Sequence, residues 1–270
     1  IFTGSHLWFL YYLAMITALA LGFRWLVKMA GGRAGAMARR GDIIVAWLAR
    51  SRWGVPVLIV PTAVALWFMR FWGMDTPDQT LNPHVPVLLV YGGFFALGWM
   101  LSRQRDALAD FVRLSASRWV LAGIGIIGAL GLAAIERDPS HPHYVAAHAG
   151  FAVSYALMMW SLVFLTLGVF KKFCAQPRAW VRYVADSSYW LYLVHLPIVV
   201  WLQVAVAEVQ LHWSLKLAFI SVATVAVALL SYDGFVRSTR LGWVLNGRRR
   251  KRGLVSFGRA GEPAVNEARV

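Results

Sequence analysis

The sequence predicts an all-α protein: a polytopic membrane helix bundle with seven transmembrane spans, residue 1 outside and the C-terminus in the cytoplasm. Three observations predict it. Hydrophobic residues make up 59% of the chain and charged ones 14%, against roughly 45–50% and about 25% in soluble domains. So few ionisable groups cannot coat a globule of 270 residues, which excludes a freely soluble enzyme. The apolar residues fall in seven runs of a length that suits a bilayer. The basic residues, 27 against 12 acidic for a net charge of +15, gather in every second connection between those runs, and that alternation sets the orientation.

The first run, 7–27, opens on His6-Leu7-Trp8-Phe9-Leu10-Tyr11-Tyr12, and seven basic residues from Arg24 to Arg52 follow. Within that connection, 35–53, the stretch Ile43-Ile44-Val45-Ala46-Trp47-Leu48 reads as amphipathic and interfacial. The second run, 55–72, contains Pro56 and Pro61 and is limited by Arg70; a membrane helix tolerates proline where neighbours satisfy the freed carbonyl. Asp75 and Asp78 follow. The third run, 85–102, leads to Arg103, Arg105, Arg113 and Arg118. In the fourth, 119–135, Gly125, Ala129 and Ala133 recur every four positions, a spacing that suits close helix packing. The fifth, 146–170, carries His148 and Tyr155 on one face and is followed by Lys171, Lys172, Arg178 and Arg182. The sixth, 187–207, is followed by Glu208 with no Lys or Arg, and the seventh, 214–236, by nine basic residues. In all, 24 of the 27 lie in connections read as cytoplasmic.

The bundle is expected over 1–246, and 247–270 as a basic, disordered cytoplasmic tail. Directly after a span, the run Arg248 to Arg252 suits anionic lipid rather than nucleic acid. A single cysteine, Cys174, excludes an internal disulfide and a Cys-based zinc cage. His141-Pro142-His143 with His148, Glu136 and Asp138 invites a metal, but the spacing fits no ligand pattern. No metal and no bound cofactor is expected. A phosphate-binding glycine loop, Gly-x-Ser-x-Gly and His-Glu-x-x-His are all absent from the sequence.

The sixth run is the richest in polar groups. At helical spacing Ser188, Tyr192, His195, Val199 and Gln203 share one face, and Pro197 removes the bond to the carbonyl of Leu193. An ionisable group at mid-membrane costs about 2.5–3.5 kcal/mol on insertion scales. His195 therefore either lines a cavity or bonds a neighbouring helix; both readings stand. For His6 and its aromatic neighbours taken alone, an interfacial belt is the better reading.

Two segments together, His6-Leu7-Trp8-Phe9-Leu10-Tyr11-Tyr12-Leu13 and Tyr183-Val184-Ala185-Asp186-Ser187-Ser188-Tyr189-Trp190-Leu191-Tyr192-Leu193-Val194-His195-Leu196-Pro197, resemble the acyltransferase-3 family. The likeness is closest to its bacterial branch that succinylates osmoregulated periplasmic glucans. The resemblance implies a multi-pass enzyme of the bacterial inner membrane that moves an acyl group, succinyl in that branch, onto a sugar hydroxyl. It implies acyl-CoA, there succinyl-CoA, as a cytoplasmic donor and a periplasmic or surface glycan as acceptor. The family's signature, a basic residue a fixed distance before a His in its first span, has no counterpart here. The chain resembles the family from its fourth span onward, so the catalytic His is expected upstream of residue 1 and no residue here inherits that role. His6, Trp8, Ser188, Tyr189, Tyr192 and His195 are the candidates for lining the acceptor or acyl path. Two rivals remain: a transporter or flippase, which uses the same interrupted polar helices, and a non-catalytic membrane partner.

Overall fold

The computed structural model describes residues 7–29, 33–51, 53–69, 73–77, 82–176 and 178–246, and every regular element among them is helical. The chain divides into two compact units, 1–175 and 176–270. The first holds α1 (Trp8–Met29), α2 (Arg33–Arg50), α3 (Gly54–Trp67), α4 (Val85–Ser102), α5 (Arg105–Phe111), α6 (Ala116–Glu136) and α7 (Tyr144–Cys174). The second holds α8 (Ala179–Ala205), α9 (Trp213–Ser231), a π-helical turn (Tyr232–Val236) and α10 (Arg240–Asn246). The tail 247–270 lies outside the described residues.

Six helices among the described residues are long and apolar enough to cross a bilayer: α1, α4, α6, α7, α8 and α9 with its continuation to Val236. The second expected span is shorter than its apolar run. α3 has 14 residues, about 21 Å at 1.5 Å per residue, against a hydrocarbon core of about 30 Å. It stops at Trp67 because Phe68 and Met69 tighten onto the carbonyls of Ala65 and Leu66. Gly73 then takes a positive φ of 81° with its backbone against the Tyr155 ring, where a Cβ would lie 3.1 Å from a ring carbon. α2 is as long as α4 but too polar to span by itself; α2 and α3 are long and apolar enough only together, with axes 107° apart, so the count becomes seven if this bent pair forms one broken span.

The stretch expected to be amphipathic is the last half of α2. Val45 and Leu48 are buried among Leu97 and Leu101 of α4 and Ala107 and Phe111 of α5, while Ile43, Ile44 and Trp47 stay exposed. Arg103 donates to Asp42 at 2.6 Å and Arg50 to Asp110 at 3.2 Å, which ties α2 to the ends of α4 and α5. The corner into α3 needs glycine, since a Cβ at Gly54 would stand 1.8 Å from the carbonyl oxygen of Leu48.

The expected small-residue stripe lies at the seam between α6 and α7: Gly125 and Ala129 are buried and Ala133 is half-buried, with Ala122 buried one turn before them, and a Cβ at Gly125 would lie 2.7 Å from the backbone nitrogen of Met158. In a membrane, helices gain little from hiding apolar surface, so close backbone approach carries much of their association. Gly125→Val is expected to destabilise unit 1 by about 1–3 kcal/mol or more, because overpacking here meets backbone rather than a yielding side chain. Thermal unfolding in detergent checks this; an unchanged midpoint would mean that α6 does not pack on α7 at this point.

In the second unit α8 pairs with α9. The helix starts earlier than its apolar run, at Ala179, and continues through Pro197. Its first turns are pinned to the end of α9: the Tyr183 hydroxyl donates to the Leu229 carbonyl at 3.2 Å and the Trp190 indole to Ser231 at 2.9 Å. The Arg237 guanidinium lies 4.7 Å from the centre of the Tyr183 ring, a cation–π contact. The π turn follows from one wide bond, Arg237 N–H to the Tyr232 carbonyl at 2.9 Å, and it buries both Tyr232 and Asp233. Elsewhere α8 and α9 present exposed apolar side chains such as Trp201, Val204 and Val222, the surface that lipid requires.

Candidate functional site

In unit 1, the starts of α1, α4 and α7 and the ends of α3 and α6 come together, and two histidine–carboxylate pairs form there. At the head of α1, Trp8 meets Tyr12 and Tyr91 edge to face, with ring centroids 5.9 and 5.8 Å apart. Tyr12 is buried, and its hydroxyl accepts the backbone N–H of His84 at 2.7 Å. That bond seats His84 at the N-cap of α4, ahead of Pro86 in the first turn, a position where proline loses no helical bond.

The first pair is His84 with Asp75. His84 Nδ1 lies 3.3 Å from Asp75 Oδ2, with the carboxylate side chain 7% exposed and the imidazole 23%. The Asp75 amide in turn donates to the sulfur of Met69 at 3.4 Å. A carboxylate beside Nδ1 favours the proton on that nitrogen, which gives Nε2 the lone pair in the neutral ring. A partly accessible imidazole oriented by a buried carboxylate is the arrangement of a general base.

The second pair is deeper. His148 contacts Glu136 Oε1 through Nδ1 at 3.3 Å and the Trp67 carbonyl through Nε2 at 3.2 Å. A carbonyl can only accept, so the Nε2 contact suits a hydrogen on Nε2, while Nδ1 faces the Glu136 carboxyl. Tyr144 stacks on the imidazole at 5.4 Å and the Trp67 ring packs at 4.6 Å. Glu136 Oε2 is buried with no hydrogen-bond partner among the described residues, a state tolerable only while the other oxygen is compensated. The pair thus joins the ends of α3 and α6 to α7.

The remaining acidic group of the α6–α7 connection is occupied differently. The Ser140 hydroxyl and N–H both donate to exposed Asp138, and these bonds hold its carboxyl below the usual range. The turn is therefore held above the ordinary carboxylate pKa and loosens as pH falls through the lowered value. Among the described residues, no three His, Cys, Asp or Glu side chains converge as a metal site would need.

The sequence-derived candidates fall in different places. His6 lies outside the described residues. Trp8 belongs to the aromatic cluster of unit 1, whereas Ser188, Tyr189, Tyr192 and His195 belong to α8 of unit 2. On α8 the rings of Tyr192 and His195 are neighbours, 5.8 Å apart. His195 Nδ1 lies 2.7 Å from the Tyr192 carbonyl and 3.2 Å from that of Leu191, so Nδ1 carries hydrogen and bonds its own helix. Ser188 bonds the Ala185 carbonyl at 2.8 Å and Tyr189 is exposed. Sequence reading missed the Asp75–His84 pair, since nothing in a loop before a span tells which carboxylate a histidine will meet. It did set His148 beside Glu136 as a metal guess and with Tyr155 on one face, but not as an imidazole paired with a carboxylate.

The family model for the acyltransferase domain matches residues 2–233. The chain belongs to the acyltransferase-3 family. The match runs through both units, from the head of α1 to the π turn, so the helices of this chain are those of a multi-pass membrane acyltransferase. No curated protein and no solved structure matches the chain.

Proposed function

We propose that this acyltransferase-3 chain serves O-acylation in the bacterial inner membrane, passing an acyl group, succinyl in the branch it resembles, from cytoplasmic acyl-CoA to a periplasmic or surface glycan. The family match over residues 2–233 carries the reading. Orientation follows from charge: Arg50, Arg103, Lys171 and Lys172 belong to the end of unit 1 opposite the histidine pairs, and a basic end faces the cytoplasm. The histidine pairs then face the acceptor.

Acyl transfer to a hydroxyl needs a group that takes the hydroxyl proton and donors that steady the developing oxyanion. His84, oriented by Asp75, is the described imidazole best suited to accept or pass on that proton. Trp8 in unit 1 and, separately, Ser188, Tyr189, Tyr192 and His195 in unit 2 remain proposed contacts for acceptor or acyl group; His6, the remaining candidate, lies outside the described residues. Aromatic faces suit the apolar sides of sugar rings.

The direct test is the acyl-ester content of purified periplasmic and surface glycans with and without the gene. Loss of esters on deletion, restored by the intact gene, is the expected result; unchanged ester content overturns the reading in favour of transport or a partner role. His195→Ala in the full-length protein is expected to lower ester content at least tenfold with the protein still in the membrane. Wild-type esterification would remove His195 from the path and leave it as a bond within α8.

A further inference from the structure

The Asp75–His84 pair stands on irregular chain. Both residues belong to the connection between α3 and α4, which has no helix or strand among its described residues. Side chains on such a segment keep a fixed separation only where other elements hold the backbone on both sides of them. The separation here leaves little slack, since Nδ1 and Oδ2 are 3.3 Å apart, near the outer limit of a hydrogen bond. A loosening of about 0.5 Å parts them.

Two tyrosines from different helices supply the fixed points. On the His84 side, the hydroxyl of Tyr12 in α1 accepts the His84 backbone N–H at 2.7 Å, from a side chain that is fully buried. On the Asp75 side, the ring of Tyr155 in α7 closes over Gly73. A Cβ on Gly73 would stand 3.1 and 3.2 Å from two ring carbons and 3.3 Å from the phenol oxygen. Gly73 keeps its positive φ of 81° against that ring, and the amide of Asp75, just beyond, ends on the Met69 sulfur. Tyr12 and Met69 are buried in one hydrophobic cluster, with Met74 and Tyr155 packed against it, so the two fixed points do not drift independently.

We propose that Tyr12 and Tyr155 are the positioning residues of the Asp75–His84 pair: Tyr12 fixes the backbone of the imidazole, Tyr155 that of the carboxylate, and together they hold Asp75 against Nδ1 so that Nε2 keeps its lone pair. Their consequence for catalysis rests on the reading of His84 as the group that takes the acceptor's proton; the seating of the pair does not. Tyr12→Phe keeps the ring in its cluster and removes the acceptor of the His84 N–H. Tyr155→Leu removes the plate over Gly73, and Tyr155→Phe keeps it, because the shortest approaches are to ring carbons.

The test uses the full-length protein in nanodiscs, labelled with nitrogen-15 histidine, at an alkaline pH where imidazoles are neutral. The resonances of His84 are identified by their loss in His84→Gln. In wild type they report one tautomer, with hydrogen on Nδ1; in Tyr12→Phe and Tyr155→Leu they move to a mixture of tautomers, and in Tyr155→Phe they stay near wild type. Initial rates are measured on the same proteins with succinyl-coenzyme A as donor and the glycans of a deletion strain as acceptor. Tyr12→Phe and Tyr155→Leu each lower kcat roughly fivefold or more while the acceptor KM changes less than about twofold. In a His84→Gln background neither costs more than about twofold, because the group they position is gone. Should Tyr12→Phe fail to fold, Tyr155→Leu set against Tyr155→Phe gives the same readouts. If wild type transfers no acyl group while the His84 resonances move as expected, the tyrosines still seat the pair and only the proton-transfer reading falls. Wild-type His84 resonances in both Tyr12→Phe and Tyr155→Leu, or a loss of rate repeated in full in the His84→Gln background, overturn the proposal.

Discussion

His84→Ala is expected to reduce glycan esterification by about 10²–10⁴-fold, the usual weight of a positioned proton-transfer group, and also to lower the unfolding midpoint, since buried Asp75 loses the imidazole beside it. The imidazole is partly open while its Asp75 partner is buried, and its backbone rather than its ring holds Tyr12. Removing the ring therefore leaves the seat of α4 intact. Asp75→Asn is expected to cost activity too, because an amide beside Nδ1 can present a donor and reverse the ring's protonation pattern. His84→Gln keeps hydrogen-bonding capacity but offers no basic nitrogen, so it should be as impaired as the alanine variant. Initial rates of acyl transfer in membranes decide the matter. A His84→Gln enzyme near wild-type rate would make His84 a fixture of the 73–84 connection rather than a carrier of protons.

His148→Ala is expected to be the most destabilising single change in unit 1, about 3–5 kcal/mol, the scale for breaking a buried pair by removing one partner. The Glu136 side chain is 5% exposed and that of His148 12%, and Glu136 Oε2 already lacks a hydrogen bond among the described residues. Without His148 both carboxyl oxygens lose compensation, and the Trp67 carbonyl loses its donor as well. The double variant Glu136→Leu/His148→Phe removes the charge together with its partner and should recover much of the loss. Thermal or denaturant unfolding in detergent measures the cycle. Equal destabilisation by the single and double variants would show that packing around Tyr144 and Trp67, not the histidine–carboxylate contact, holds the helix ends.

Much of this architecture is written in one dimension. Apolar runs long enough for a bilayer mark α1, α4, α6, α7, α8 and α9, because solvation by lipid acts on each segment by itself. The same holds for the Gly125 stripe, whose small side chains advertise a close neighbour before that neighbour is known. The interfacial reading of 43–48 was met only in part: Val45 and Leu48 pack among residues of α4 and α5, while the exposed Ile43, Ile44 and Trp47 are apolar as well.

Other features depend on which segments meet. The apolar run 55–72 could not reveal that its helix ends at Trp67, because the stop comes from a turn and from Gly73 lying against Tyr155, a residue of α7. The stripe on α8 was legible from spacing, yet periodicity assigns a side chain to a face without naming what the face meets. His195 bonds carbonyls of its own helix, a choice made by rotamer. Asp75 and His84 are paired by the fold of a connection, and Glu136 and His148 by two helix ends that only tertiary packing brings within 3.3 Å. Hydrophobic length and charge bias are properties of single segments, so the sequence alone determined that this is a multi-pass helical membrane protein. Hydrogen bonds and ion pairs are short-range contacts between segments, so which carboxylate orients which imidazole was decided by the tertiary structure.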